Sequence, residues 1–208
     1  MDTTVRWLER ALLIVGFGLA GYCGVLWAEA QYFQSLPVPV FAELPGDAGQ
    51  AARRRAAAPD SAINRGSWLA RLEAPSIGLS ATVLEGSDDR TLSRAAGHIE
   101  TTALPASPTG NVGIAGHRDT TFRPLRRVKI GDRMILKTTS GSFEYRVTDT
   151  TVVAPDAIHV LGPTPVPTLT LVTCYPFTFI GHAPKRFIVT AQRAQPSPGK
   201  AERSRSVE

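Results

Sequence analysis

Residues 11–28, ALLIVGFGLAGYCGVLWA, form an uncharged run of 18 near the N-terminus. A helix of that length rises about 27 Å, close to the hydrocarbon thickness of a bilayer. The run therefore predicts a transmembrane anchor over 11–30 and confines any globular fold to the chain after it. Arg6 and Arg10 precede the run, and no Lys or Arg follows until Arg53. Basic flanks stay on the cytoplasmic side, so residues 1–10 are expected inside and everything beyond the anchor outside. Two other readings bear on the same stretch. AEA at 28–30 resembles a signal-peptidase site, but the apolar run exceeds the 7 to 15 residues usual for a cleaved signal. Cys23 suggests a lipid-anchored cysteine, yet Tyr22 stands where such a site needs a small residue, so Cys23 reads as a passive membrane-facing side chain.

Beyond the anchor the composition changes twice. Residues 31–65 mix Pro, Ala, Gly and Arg with no sustained apolar period and read as a juxtamembrane linker. Residues 194–208, AQPSPGKAERSRSVE, are too polar to bury a core and are expected to be disordered. Residues 66–193 remain as one folded domain of ordinary size. The net charge is +5, but the arginines are scattered and no aromatic-interleaved basic stripe is present, which excludes nucleic acid as a partner. On the exported side Cys174 has no second cysteine to pair with. An unpaired thiol in an oxidising compartment is a liability unless it is buried or used.

The texture of 66–193 is mostly β. SWLARLE sets Trp68, Ala70 and Leu72 against Leu69, Arg71 and Glu73, and FEYRVTD sets Phe143, Tyr145 and Val147 against Glu144, Arg146 and Thr148. Both alternate with the two-residue period of a strand with one buried face. TTSGS predicts a hairpin pairing 134–138 with 143–147. NVGIAG, TLTLVT and RFIVTAQ are short apolar runs bounded by Gly, Pro or charge and read as central strands. SDDRTLSRAAG predicts one short helix capped by Ser87 or Asp88, with Gly97 just past its end. The sum is a closed or nearly closed β-barrel with few helices.

Reactivity at Cys174 requires a partner that handles protons, since the thiolate is the nucleophile. Among the four histidines, His117 is delivered at a strand end by NVGIAG, with Gly113 and Gly116 leaving room around it. His98 reads as a cation or turn residue at the helix end, and His159 and His182 as solvated loop residues. Acyl transfer also needs a donor for the oxyanion. Arg186 opens the strand RFIVTAQ, and the segment 175–185 brings it back towards Cys174. Taken alone, Arg186 reads more readily as a surface arginine at a strand end. The lack of converging carboxylates predicts no metal site, and nothing in the sequence calls for a cofactor.

GNVGIAGHRDTTF (110–122), TLVTC (170–174) and KRFIV (185–189) resemble the three signature segments of sortases, the cysteine transpeptidases of bacterial surfaces. TLVTCYPF together with GHIETTALP (97–105) resembles class D most. The resemblance implies an eight-stranded β-barrel, with His117 as general acid/base, Cys174 as nucleophile and Arg186 as the arginine that binds the oxyanion and substrate. It also implies as substrate a protein carrying an LPxTG-like sorting signal, and as acceptor an amine on a peptidoglycan precursor or a pilin lysine. Thr173 is expected to hydrogen-bond substrate or to steady the thiol. Leu161, in the Pro-rich loop 154–167, is expected in the wall that reads the signal, and Tyr175 at the start of the loop that shapes the groove.

Other classes fit less well. A papain-type hydrolase places its His far downstream of its Cys, whereas His117 precedes Cys174. An L,D-transpeptidase carries its cysteine in an SHGC-R-like segment that is absent here. A non-catalytic surface-assembly protein leaves the joint occurrence of three signature segments unexplained.

Overall fold

The protein is described here from a computed structural model covering residues 3–35, 63–179 and 181–194. Its N-terminal part is one helix, α1 (Thr3–Ser35). Within it Arg6–Val25 is long and apolar enough to cross a membrane, with a mean hydropathy of 1.4 and none of it buried against protein. The helix continues through 31–35, into the stretch expected to be linker. Of the remaining linker, 36–62 lie outside the described residues, as does the tail from 195.

The strands are β1 (Trp68–Ala74), β2 (Leu79–Glu85), β3 (Ala96–His98), β4 (Asn111–Ala115), β5 (Arg133–Thr138), β6 (Gly141–Val153), β7 (Thr168–Tyr175) and β8 (Lys185–Arg193). They close into a barrel in the order β1-β2-β3-β4-β7-β8-β6-β5. Closure removes both sheet edges, which would otherwise leave rows of unpaired backbone groups. Only β2 with β3 and β4 with β7 run parallel.

The two-residue period accounts for what faces inward. In β1, Ala70, Leu72 and Ala74 are fully buried, while Arg71 and Glu73 are half-buried on the outer face and Leu69, beside the bulge, is half-buried against the core. Trp68 was expected on the inner face but is only half-buried, because the register with β2 shifts between Trp68 and Ala70. A bulge of this kind re-aims the side chain beside it. The hairpin forms, but its register is two residues tighter than read: 134–138 pairs with 141–145, Met134 opposite Tyr145, Leu136 opposite Phe143 and Thr138 opposite Gly141. Ile114 of β4, Leu169 and Leu171 of β7 and Val189 of β8 complete the core with Leu125 and Phe122. Truncating one such residue, Leu72 or Leu171, to alanine costs about 2–5 kcal/mol.

The segment after β2 departs from expectation. Asp88 does cap α2 (Asp89–Leu92), accepting hydrogen bonds from the backbone N–H groups of Arg90 and Thr91 and from the Thr91 hydroxyl. That Thr91 hydroxyl bond, with the two backbone donors, holds the Asp88 carboxyl below its ordinary pKa. The helix nevertheless ends at Leu92, and Gly97 is a strand residue rather than a helix terminator. A Cβ on Gly97 would stand 2.2 Å from the Gly86 carbonyl oxygen, so glycine is what lets β3 lie against the end of β2. His98 is likewise no helix-end cation. It is 1% exposed, with Nδ1 2.9 Å from a Glu85 carboxylate oxygen and Nε2 donating to the Ala103 carbonyl at 3.0 Å. Local pattern could not reveal this, since Glu85 belongs to the preceding strand.

Candidate active site

Cys174 lies one residue before the end of β7, and Arg186 stands directly opposite it on β8. Residues paired in this way have Cβ atoms about 4.5–5.5 Å apart on one face of the sheet. On the other side of β7, β4 ends with Ala115 paired to Val172. Two residues further along each strand direction lie His117 and Cys174, so a continuation of the parallel register would bring them level. Three adjacent strand ends thus place His117, Cys174 and Arg186 abreast. All three line one cleft of about 390 Å³, together with Arg118, Asp119, Gly181, His182 and Ala183. A larger cleft of about 520 Å³, beside Arg65, Asp88, Arg90 and Arg94, has neither thiol nor imidazole in its lining.

The backbone at His117 is held from several sides. Gly116 N–H donates to the Val172 carbonyl at 3.1 Å, and the Phe122 N–H donates to the His117 carbonyl at 2.8 Å. The fully buried Phe122 ring packs on Gly116 so closely that a Cβ there would stand 2.8 Å from it. The glycine before His117 is therefore required by the packing of the turn that follows. His117 itself is exposed in the cleft, whereas Cys174 and Arg186 are half-buried. The Arg186 guanidinium donates through Nη1 to the carbonyls of Ala183 at 3.2 Å and Lys185 at 3.0 Å. Its direction is thus tied to the loop between β7 and β8.

The three residues expected at the substrate occupy different places. Thr173 is 2% exposed, and its hydroxyl donates to the Gly116 carbonyl at 2.7 Å. This bond joins the residue before the cysteine to the residue before the histidine, which is a steadying arrangement. Tyr175 stacks on Phe187, ring centroids 6.3 Å apart, and meets Phe177 edge-on at 6.1 Å. Leu161 ends a 3-10 turn (Ile158–Leu161) and lies over β4, where a Cβ on Gly113 would approach its side chain to 2.9 Å. Leu161 does not line the cleft of Cys174.

Three further residues escaped the sequence reading. His182, read as a solvated loop residue, is exposed but lines the cleft. Asn111 opens β4, its amide donating to the carbonyls of Val160 at 3.1 Å and Gly162 at 3.2 Å while its oxygen accepts from Thr170 at 2.7 Å. Arg118 reaches the loop between β7 and β8. Its place beside His117 was the one available sequence signal.

Known proteins share this architecture. The Sortase domain model matches residues 72–194. Sortase D of Bacillus subtilis (strain 168) is 34% identical over 123 residues, covering 59% of this chain and 62% of that protein. The chain spans about half the length of the curated relatives it matches, from 37% to 62%. A Clostridium perfringens Sortase D5 transpeptidase superposes with a TM-score of 0.60 at 27% identity, covering 72% of this chain and 92% of that one. Sortase A from Corynebacterium diphtheriae does so with a TM-score of 0.60 at 27% identity, covering 85% of each. A domain match over more than half of the chain, on a closed eight-stranded barrel that sets a cysteine, a histidine and an arginine abreast, makes this protein a member of the sortase family.

Proposed function

We propose that the protein is a membrane-anchored cysteine transpeptidase, with Cys174 as nucleophile, His117 as general acid and base and Arg186 as oxyanion donor. The observation that carries this reading is the direct pairing of Cys174 with Arg186 inside a cleft that His117 also lines. The substrate is a surface protein ending in an LPxTG-like sorting signal. The Cys174 sulfur bonds to the threonine carbonyl carbon, and its negative charge passes to the oxygen of a tetrahedral intermediate. Arg186 N–H groups not spent on the Ala183 and Lys185 carbonyls stabilise that oxygen. The C–N bond then breaks, His117 gives its proton to the departing amine, and a thioester remains. An incoming amine, from a peptidoglycan precursor or a pilin lysine, loses a proton to His117 and displaces the thiolate with formation of a new amide. Water competes, so the outcome depends on how well the cleft holds the amine.

The wall residues fit an extended peptide. Gly113, under Leu161, is in register with Thr170, four residues before Cys174, or about 13 Å along the strand. The leucine of the signal lies three residues before its threonine, about 10 Å away, within reach of Leu161. Tyr175 shapes the groove through its aromatic partners, and Thr173 steadies the His117 backbone. The apolar helix with its basic N-terminal flank supports a location in a bacterial cytoplasmic membrane, N-terminus inside and barrel outside.

The test is transfer of a fluorescent LPxTG-type peptide to an amine acceptor by the full chain in detergent. Cys174→Ala is expected to abolish transfer, His117→Ala to lower it by about 10²–10⁴-fold and Arg186→Ala by about 10²–10³-fold. Transfer by Cys174→Ala at the wild-type rate would overturn the reading. Chelator is expected to leave the rate unchanged.

A further inference from the structure

Nothing in the reaction as outlined uses Arg118, yet it is the most heavily engaged side chain at the cleft. Nη1 donates to the Pro176 carbonyl at 3.1 Å, and Nη2 donates to the carbonyls of Phe179 at 2.6 Å and Gly181 at 3.1 Å. The guanidinium also lies 6.0 Å from the centre of the Phe179 ring. One residue beside the histidine therefore binds three backbone oxygens of the loop that begins two residues after the cysteine.

Apart from Phe177, whose half-buried ring packs on the core and meets Phe187 at 5.4 Å between centroids, that loop has little else to hold it. Among the described residues its own backbone supplies one long hydrogen bond, Phe179 N–H to the Pro176 carbonyl at 3.4 Å. Phe179 is 44% exposed, so its side chain does not anchor the segment in the core. The same loop continues to Ala183, whose carbonyl takes the Arg186 guanidinium. Arg118 thus holds Pro176, Phe179 and Gly181 of the same loop whose Ala183 carbonyl meets the Arg186 fork.

We propose that Arg118 is a positioning residue: a latch that fixes the loop between β7 and β8 against the His117 turn, so that Arg186 points at the oxyanion above Cys174. The inference rests on the transpeptidase reading for its kinetic consequence, but not for the latch itself. Three carbonyls at fixed separation suit the planar five-donor fork of arginine. The single ammonium of a lysine can serve one or two of them. Because the latch acts on a group that matters as charge develops in the transition state, its loss falls on kcat rather than on peptide binding.

Two measurements on the full chain in detergent test this separately. Hydrogen exchange of 176–184 is expected to accelerate at least tenfold in Arg118→Ala and by less in Arg118→Lys, with the exchange of β4 and β7 unchanged. In the peptide transfer assay Arg118→Ala is expected to lose at least tenfold in kcat with the peptide KM within threefold, and Arg118→Lys to recover part of the loss. Wild-type exchange in 176–184 of Arg118→Ala would overturn the latch, and so would a loss confined to KM. If Arg118→Ala does not fold, Arg118→Lys carries both readouts, and wild-type values in both would equally overturn it. Failure of the wild-type chain to turn over peptide would instead remove the transpeptidase reading and leave the exchange result standing.

Discussion

Two segments flank β7 like walls, only the second of them lining the cleft of Cys174, and they are held by opposite means. The turn Ile158–Leu161 precedes β7, and its carbonyls at 160 and 162 receive both N–H groups of Asn111. Asn111 is 3% exposed, and its oxygen is taken by the buried Thr170. Gly110 adds backbone bonds to Thr164 and Thr168. The segment 176–181 follows β7, and its carbonyls receive one arginine from the cleft itself. The first wall is stapled to the outer face of β4 and β7 by buried neutral groups. The second is tied at a half-exposed surface by a single cation. Hydrogen bonds among buried groups open only when the surrounding fold opens, whereas segments with few buried contacts open locally. The contrast sets a rigidly held segment before β7 against a more adjustable one after it.

Several substitutions break or sharpen the contrast. The largest effect on stability is expected from Asn111→Ala, which strips partners from two carbonyls and the Thr170 hydroxyl. A loss of about 3 kcal/mol in urea denaturation follows, with hydrogen exchange of 158–162 accelerated and that of 176–184 unchanged. A loss below about 1 kcal/mol would show that the first wall is no better anchored than the second. Thr173→Val keeps the volume but leaves the Gly116 carbonyl without its side-chain donor, at a cost of about 1–2 kcal/mol. Since this bond lies at the root of both strand ends, the rate should fall without a change in either wall's exchange. The smallest effect is expected at Tyr145, which belongs to neither wall. Its fully buried hydroxyl has no hydrogen-bond partner among the described residues, and burial raises its pKa despite the nearby Arg193. Tyr145→Phe should change stability by no more than about 0.5 kcal/mol, or improve it, in the same denaturation experiment.

Much of the barrel was legible because its information is local. Alternation in 68–74 and 143–147 reports a buried face directly, and the turn residues of TTSGS set the pairing of β5 with β6. Cys174, His117 and Arg186 could be singled out because each stands at the end of a run of strand-forming residues. Less legible was the stretch after β2, where four helical residues give way to a strand because Gly97 passes against Gly86 and His98 turns inward to Glu85. A helix terminator and a close-packed strand glycine look alike in one dimension. His182 was similarly hidden, since only the path of its loop shows that it faces the cleft.

By itself the sequence determined an apolar N-terminal helix, a β-rich domain and a lone thiol placed at a strand end. Periodicity and charge act over a few residues and need no knowledge of neighbours. Tertiary structure alone decided which strand ends meet and what holds the walls between them. Asn111 binds carbonyls 49 and 51 positions away, and Arg118 binds carbonyls 58 to 63 positions away. Contacts of that separation follow from strand order and register, which arise when the barrel closes and each buried face must find its partner.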